Sequence, residues 1–409
     1  MYLSRSYVFK LDPKPSQRQA FERFASVVRL VYNLGLEQRR DHWRAFRRAT
    51  GRGVSFVSQA KELTELRAVF PWIADVSQTC QQQALRDLDA TYQRWFKGLC
   101  SYPSPRKRGM NDAFRFQGRE VQMRPVTKRW HEAKLPKIGW VRFRHTRDFD
   151  GKLNNVTVTL KPNGWHIVFN VTHEVEAPAE STLPSVGIDR GVAVPLMLST
   201  GEGCSLPESV KSGGKLDRQI KRAQRDLARK KRGSNRRKKA VARVAKLQAR
   251  RARIVRHWQN ETTTSIANRF GAVALENLKT ANMTKSAKGD AENPGKNVKA
   301  KSALNREILR VGWHEIQRQI EYKLEERGGR LALVDPAYTS QTCAKCGTVD
   351  KQSRKSQARF ECQHCGHTTN ADRNAALNIK RRGNTALQLA EDADCSADEA
   401  RTTWSRLAA

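Results

Sequence analysis

Residues 343–346 read CAKC and residues 362–365 read CQHC, with fifteen residues between the pairs. Four thiols can meet at one point only if the chain between them doubles back as a hairpin. Tetrahedral structural zinc takes such a double pair, and four sulfur ligands leave no open position for a reacting water. Cys343, Cys346, Cys362 and Cys365 are therefore predicted to hold one structural Zn2+. The alternatives are chance spacing or a pair of disulfides. The N-terminus, MYLSRSYVFKLDPKPS, alternates like a strand and lacks the apolar core of an export signal. A reducing, cytoplasmic setting is therefore expected, where paired cysteines bind metal more often than each other. Cys80, Cys100, Cys204 and Cys395 are scattered and expected to be inert. The Asn-Val-Thr triplets at Asn155 and Asn170 read as strand residues rather than glycosylation sites.

Charge limits the partners. The 409 residues hold 77 Lys plus Arg against 40 Asp plus Glu, a formal +37. A compact chain with that excess repels itself unless a polyanion neutralises it, which makes nucleic acid the leading partner. A membrane surface is the rival polyanion, but the apolar runs are only a few residues long, far short of a spanning helix. The densest segment is 215–256, with nineteen Lys and Arg against Asp217 and Asp226. It reads as a helical pair broken at Gly233-Ser234. Lys230, Lys231, Arg232, Arg236 and Arg237 are its candidate nucleic-acid contacts.

The remaining patterns divide the chain. After an N-terminal strand, Ser16 and Gln19 have capping-box spacing, and Phe21, Phe24, Val28 and Val31 follow at helical intervals. Leu85, Leu88, Tyr92 and Trp95 repeat that periodicity, so a helical block is expected over about 16–99. In GWVRFRH the alternation places Trp140, Arg142 and Arg144 on one strand face, the two arginines being further candidate contacts. Pro162-Asn163-Gly164 marks a hairpin between two alternating runs. From residue 185 strands and helices mix, as in an α/β domain: a strand–turn–strand, the basic pair, and a buried strand ending on Glu276. A mobile loop over 279–301, one helix near 303–327, and the strand RLALVD complete the pattern. A tail from 385, with Glu391, Asp392, Asp394, Asp398 and Glu399, is expected to be disordered.

Three acids stand apart. Asp189 ends the apolar strand VGID, Glu276 ends AVALE, and Asp372 opens ADRNAALNI. Each alone reads as a turn residue or a helix cap. Together, on an α/β core with a strand hairpin after the first, they resemble the RuvC type of the RNase H-like nucleases. That resemblance implies three carboxylates converging on divalent Mg2+, two ions in all, for in-line phosphodiester hydrolysis.

The wider pattern of GIDRGV, ALENLK, DPAYTSQTCAKCG and CQHCGHTTNADRNAALNI resembles the TnpB family of insertion sequences, ancestors of the type V CRISPR nucleases. YNLGLEQRR, YPSPRKRG and LPKIGW extend the likeness over nearly the whole chain. One departure is Asn370, where the family motif often carries an acid. The resemblance implies a multidomain α/β protein. A β-barrel wedge domain (1–14 and 105–178) carries an inserted helical recognition domain (15–104). A RuvC-like nuclease domain (183–335 and 368–384) carries an inserted zinc ribbon (336–367). It further implies catalytic, Mg2+-holding Asp189, Glu276 and Asp372, and a guide RNA from the element's end. Double-stranded target DNA would be cut beside a short motif, with the protein a monomer on its RNA and nucleoid-associated when bound to DNA. Rival readings are a nuclease-inactive RNA-guided repressor, a miniature type V CRISPR effector, the transposase itself, and a plain zinc-ribbon DNA-binding factor.

Overall fold

The computed structural model describes residues 2–388 apart from 52, 111, 291 and 357. It divides into two compact units, Met1–Glu176 and the chain from Ala177 onward.

The first unit opens with β1 (Tyr2–Asp12), then four helices, α1 (Pro15–Thr50), α2 (Phe56–Val69), α3 (Pro71–Ala74) and α4 (Gln78–Phe96). Six strands follow: β2 (Ala113–Gln117), β3 (Gln122–Thr127), β4 (Trp130–Leu135), β5 (Gly139–Arg144), β6 (Lys152–Lys161) and β7 (Gly164–Glu174). The sheet order is β2-β6-β7-β1-β5-β4-β3. Its two edge strands are consecutive in sequence, joined by a single 3-10 turn at Gly118–Glu120, so the sheet curls until its edges lie a few residues apart. The helices interrupt this sheet between β1 and β2, and Phe21 and Phe24 of α1 pack on Phe114 of β2.

The expected helix cap shifts by two residues. Pro15 occupies the first helical position, and the Lys14 N–H donates to the Gln17 side chain rather than a box forming at Ser16 and Gln19. Asn155 and Asn170 face each other across β6 and β7, which places both triplets inside the sheet.

The second unit contains β8 (Ser185–Asp189), β9 (Leu196–Leu198), β10 (Gly203–Cys204), α5 (Lys215–Ala228), α6 (Asn235–Arg269), β11 (Ala272–Glu276) and α7 (Thr280–Met283). It continues with α8 (Val298–Val311), α9 (Trp313–Glu325), β12 (Arg330–Val334), β13 (Arg359–Glu361), β14 (Thr368–Asn370) and a helix α10 over 371–388. The main sheet runs β10-β9-β8-β11-β12, antiparallel as far as β8 and parallel from β8 to β12.

Strand alternation sorts side chains by size. Val186, Ile188, Val273 and Leu275 bury against α6, α8 and α9, while Ala274 and Ala332 share the other cluster with Ile379 of α10. A Cβ on Gly187 would lie 2.1 Å from the Ala376 carbonyl oxygen, and one on Gly383 would lie 2.3 Å from the Ala274 Cβ. The small residues thus form a lane in which α10 touches the sheet backbone.

Three expectations are corrected. The helix near 303–327 is two helices, because Gly312 adopts φ +73° and closes α8 by donating its N–H to the Ile308 carbonyl. The loop over 279–301 holds α7 and the first turn of α8. Residues 385–388 continue α10, whose partly buried Leu387 packs against the small-residue cluster. The rest of the tail expectation, including the five acids and Cys395, lies outside the described residues.

Candidate active site and metal centre

β8 and β11 are parallel neighbours with Ile188 opposite Leu275, so Asp189 and Glu276 finish adjacent strands at the same edge. α10 contributes Asp372. It crosses β8 where Gly187 meets Ala376, and Asp372 lies one helical turn before Ala376. Asn370 caps this helix, its Oδ1 accepting the N–H groups of Asp372 (3.0 Å) and Arg373 (3.1 Å). An acid would cap equally well, which accounts for Asn at the one departing position.

Two of the carboxyls act on the third. Asp189 is pushed up to about 7, first by burial, then by the charges of Glu276 and Asp372. Burial also raises Asp372, against the opposing pull of Arg354. Glu276 is 7% exposed, and its Oε1 accepts a 2.6 Å hydrogen bond from the Thr339 hydroxyl.

Two arginines that the sequence did not single out enter the site. Arg354, from the segment between the cysteine pairs, stands 3.4 Å from Asp372 Oδ1, and its charge also lowers Asp189. Arg190 is buried, donates from Nη2 to the Glu276 carbonyl, and so ties the ends of β8 and β11 together. Nothing in the local pattern marks Arg354, which reaches Asp372 only through the hairpin's return. Arg190, a cation directly after a strand-end acid, was a legible signal.

The cysteine prediction meets its geometry. Among the described residues, the four cysteines are the one group of three or more His, Cys, Asp or Glu side chains whose ligand atoms all lie within 4.8 Å of one another. Sulfur–sulfur separations are 3.7 Å for Cys343–Cys365 and 3.6 Å for Cys346–Cys362. A tetrahedron with zinc–sulfur bonds of ~2.3 Å has edges of about 3.8 Å. Each pair sits in the same turn: the Gly347 N–H donates to the Cys343 carbonyl and the Gly366 N–H to that of Cys362, both glycines having positive φ. The set fits a structural zinc. Asn374 and Asn378 of α10 donate to the Thr342 carbonyl, docking this knot beside Asp372.

The proposed nucleic-acid contacts divide. Lys231, Arg232 and Arg236 are exposed, but Lys230 pairs with Asp226 at 3.1 Å. Arg237 donates to the Leu227 and Lys230 carbonyls and so closes the end of α5. Beside them α6 carries a stripe of cations, Arg236, Lys239, Arg243, Lys246, Arg250 and Arg253, spaced by three and four and all exposed. No acid occurs from 235 to 260. Arg142 and Arg144 are exposed on one face of β5, with Arg142 lying 5.0 Å over the Trp130 ring. No helix among the described residues is long and apolar enough to cross a membrane.

This architecture, with its four-cysteine knot beside strand-end acids, is the multidomain α/β fold of the Cas12f nucleases. A Cas12f1 protein, solved with single guide RNA and target DNA, superimposes with a TM-score of 0.56 at 17% identity, covering 90% of this chain and 83% of that one. A "Cas12f1-like, TNB domain" profile matches 313–379, a "Probable transposase" profile of the IS605 OrfB family matches 168–287, and its "Helix-turn-helix domain" profile matches 1–48. Residues 2–50 fold here as one strand and one long helix.

"Putative RNA-guided DNA endonuclease InsQ" of Escherichia coli (strain K12) is 38% identical over 95% of this chain and 94% of its own length. A protein of the same description from Streptomyces pristinaespiralis is 28% identical over 93% of this chain and 90% of its own. The chain belongs to this IS605 OrfB, or TnpB, family.

Proposed function

We infer that this protein is an RNA-guided DNA endonuclease that hydrolyses a phosphodiester at Asp189, Glu276 and Asp372. The observation that carries the reading is the convergence of three acids, distant in sequence, at one sheet edge, where Glu276 and Asp372 raise the cost of ionising Asp189. Packing of this kind costs stability and has no structural return, whereas it is what a cation site requires.

Asp189, Glu276 and Asp372 would hold the catalytic Mg2+, a hard cation that takes oxygen donors. Bound there, it supplies Lewis-acid chemistry for attack on the phosphorus by water and release of the leaving oxygen. Thr339 holds the Glu276 carboxylate in one orientation, and Arg354 balances Asp372 and Asp189 before cations enter.

The first unit is read as a barrel-like wedge domain with an inserted helical recognition domain, supported by the near-meeting of β2 and β3. The second is read as a RuvC-like nuclease domain carrying the zinc ribbon at 336–367. Guide RNA and double-stranded target DNA are the partners, in keeping with the description of the relatives and with the +37 charge. Such an enzyme works in the cytoplasm, at the nucleoid.

The test is to copurify the protein with its RNA and supply plasmid carrying the matching target in Mg2+. Wild type should cut. Asp189→Asn, Glu276→Gln and Asp372→Asn should bind the target without cutting it, and Arg354→Ala should cut slowly. Wild-type cutting by any one of the three acid variants removes that residue from the site. Binding without cutting by wild type itself would favour the repressor reading.

A further inference from the structure

Tyr338 has φ +61°, one of three non-glycine residues with positive φ among those described. A bulky aromatic gains nothing locally from the left-handed region, where Gly or Asn sits at lower cost. The surrounding loop over-determines the conformation. Arg382 of α10 donates to the carbonyls of Asp335 (2.8 Å) and Ala337 (2.7 Å). The Tyr338 carbonyl accepts from the N–H of Gln341 (3.0 Å), and from the N–H (2.9 Å) and hydroxyl (2.8 Å) of Thr342. The next residue, Thr339, donates its hydroxyl to Glu276. The loop thus holds a strained aromatic one residue from the threonine that bonds a proposed catalytic carboxylate.

That ring has no structural task. Tyr338 is 61% exposed, and no aromatic or cationic group stacks on it among the described residues. A ring kept at an unfavourable backbone position and left in solvent points to a ligand with a flat apolar face. A DNA strand reaching the carboxylates has been separated from its partner and presents unstacked bases. Aromatic platforms grip such strands without reading sequence, which suits an enzyme whose sequence choice comes from base pairing.

We propose that Tyr338 is the stacking platform for a nucleobase of the single DNA strand in the cleavage site, one that flanks the scissile phosphate. The inference rests on the reading of Asp189, Glu276 and Asp372 as that site. Hydrolysis itself needs nothing from the ring. Its task is to hold the strand still over the carboxylates.

Tyr338→Asn separates the two roles the residue could play, because Asn accepts the left-handed conformation and lacks the ring. We expect kcat/KM for guided cleavage to fall about 10- to 100-fold, within the range a base–aromatic stack supplies. The melting temperature should hold or rise, and Tyr338→Phe should rescue the lost rate. An abasic nucleotide stepped along the target strand should slow wild type at one position beside the cut and leave Tyr338→Asn indifferent there. In an uncleaving Asp189→Asn background, 2-aminopurine at that position should be quenched on binding, and adding Tyr338→Asn should abolish the quench.

Wild-type cleavage by Tyr338→Asn, an unchanged quench, or failure of Phe to rescue would each overturn the proposal. Failure of the underlying site is seen separately, as continued cutting by Asp189→Asn in the same assay, and would overturn both.

Discussion

Replacing Lys239, Arg243, Lys246 and Arg250 together with Gln should flatten the salt dependence of RNA binding without weakening the fold. From Arg236 to Arg253 the stripe spans seventeen residues, about 26 Å of helix at 1.5 Å per residue. A cation recurs roughly every 5 Å along it. Each contact with single-stranded phosphate contributes about 0.7 to the slope of log affinity against log salt, so four contribute about 2.8. Between 50 and 200 mM salt, that portion costs wild type roughly 50-fold in affinity, which the variant should not lose.

Gln forms helix about as readily as Lys or Arg, and the change removes like-charge i,i+4 pairs at 239–243 and 246–250. The variant helix should therefore be no less stable, and a fall in affinity cannot be put down to unfolding. Lys238→Gln with Arg256→Gln, away from the stripe on the same helix, supplies the comparison per charge removed. The assay is affinity for the copurifying RNA across a salt series for all three proteins. Coincident slopes for wild type and the four-site variant would mean the stripe is only solvated. An equal change per charge in the comparison variant would mean that net charge matters and its arrangement does not.

Two further predictions concern the metals. Cys362→Ser should lose the single bound zinc, lower the melting temperature, and impair cutting, because Asn374 and Asn378 dock the knot onto the helix that carries Asp372. Unchanged zinc by elemental analysis, or unchanged melting and cutting, would contradict this. Without divalent cation, Asp189 is raised to about 7, so the folded state favours its protonated form, and that contribution is lost as pH climbs from the unfolded value through about 7. Asp189→Asn should accordingly raise the melting temperature in chelator by little near pH 4, by more as pH rises, and by a constant amount above about 7. Mg2+ should stabilise wild type in preference to the variant, and a gain independent of pH would show that the carboxyl is not held protonated.

The sequence by itself determined the parts whose cause is local. Two cysteine pairs specify a closed zinc knot because chain geometry and ligand count leave little else. Strand-end acids at Asp189 and Glu276 were legible because apolar runs stop there, and the basic pair because nineteen cations against two acids need a polyanion. The cation stripe was equally present as a three–four spacing, whereas the contacts of Lys230 with Asp226 and of Arg237 with the Leu227 carbonyl depend on how α5 ends. The break at Gly312 was written as a single glycine inside a helical pattern, which local propensity tolerates, so only the packing of α8 and α9 showed that the chain turns there.

Tertiary structure decided the rest. Asp372 joins the other acids because the residues facing α10 are Gly187, Ala274 and Ala332, small enough for backbone to meet backbone, and no periodicity states which helix will use that lane. Arg354 and Thr339 are brought to the carboxylates by a hairpin and a loop whose paths are set by the cysteine knot and by Arg382. Those contacts join residues far apart in the chain, and their energies exist only once the chain has closed the loops between them.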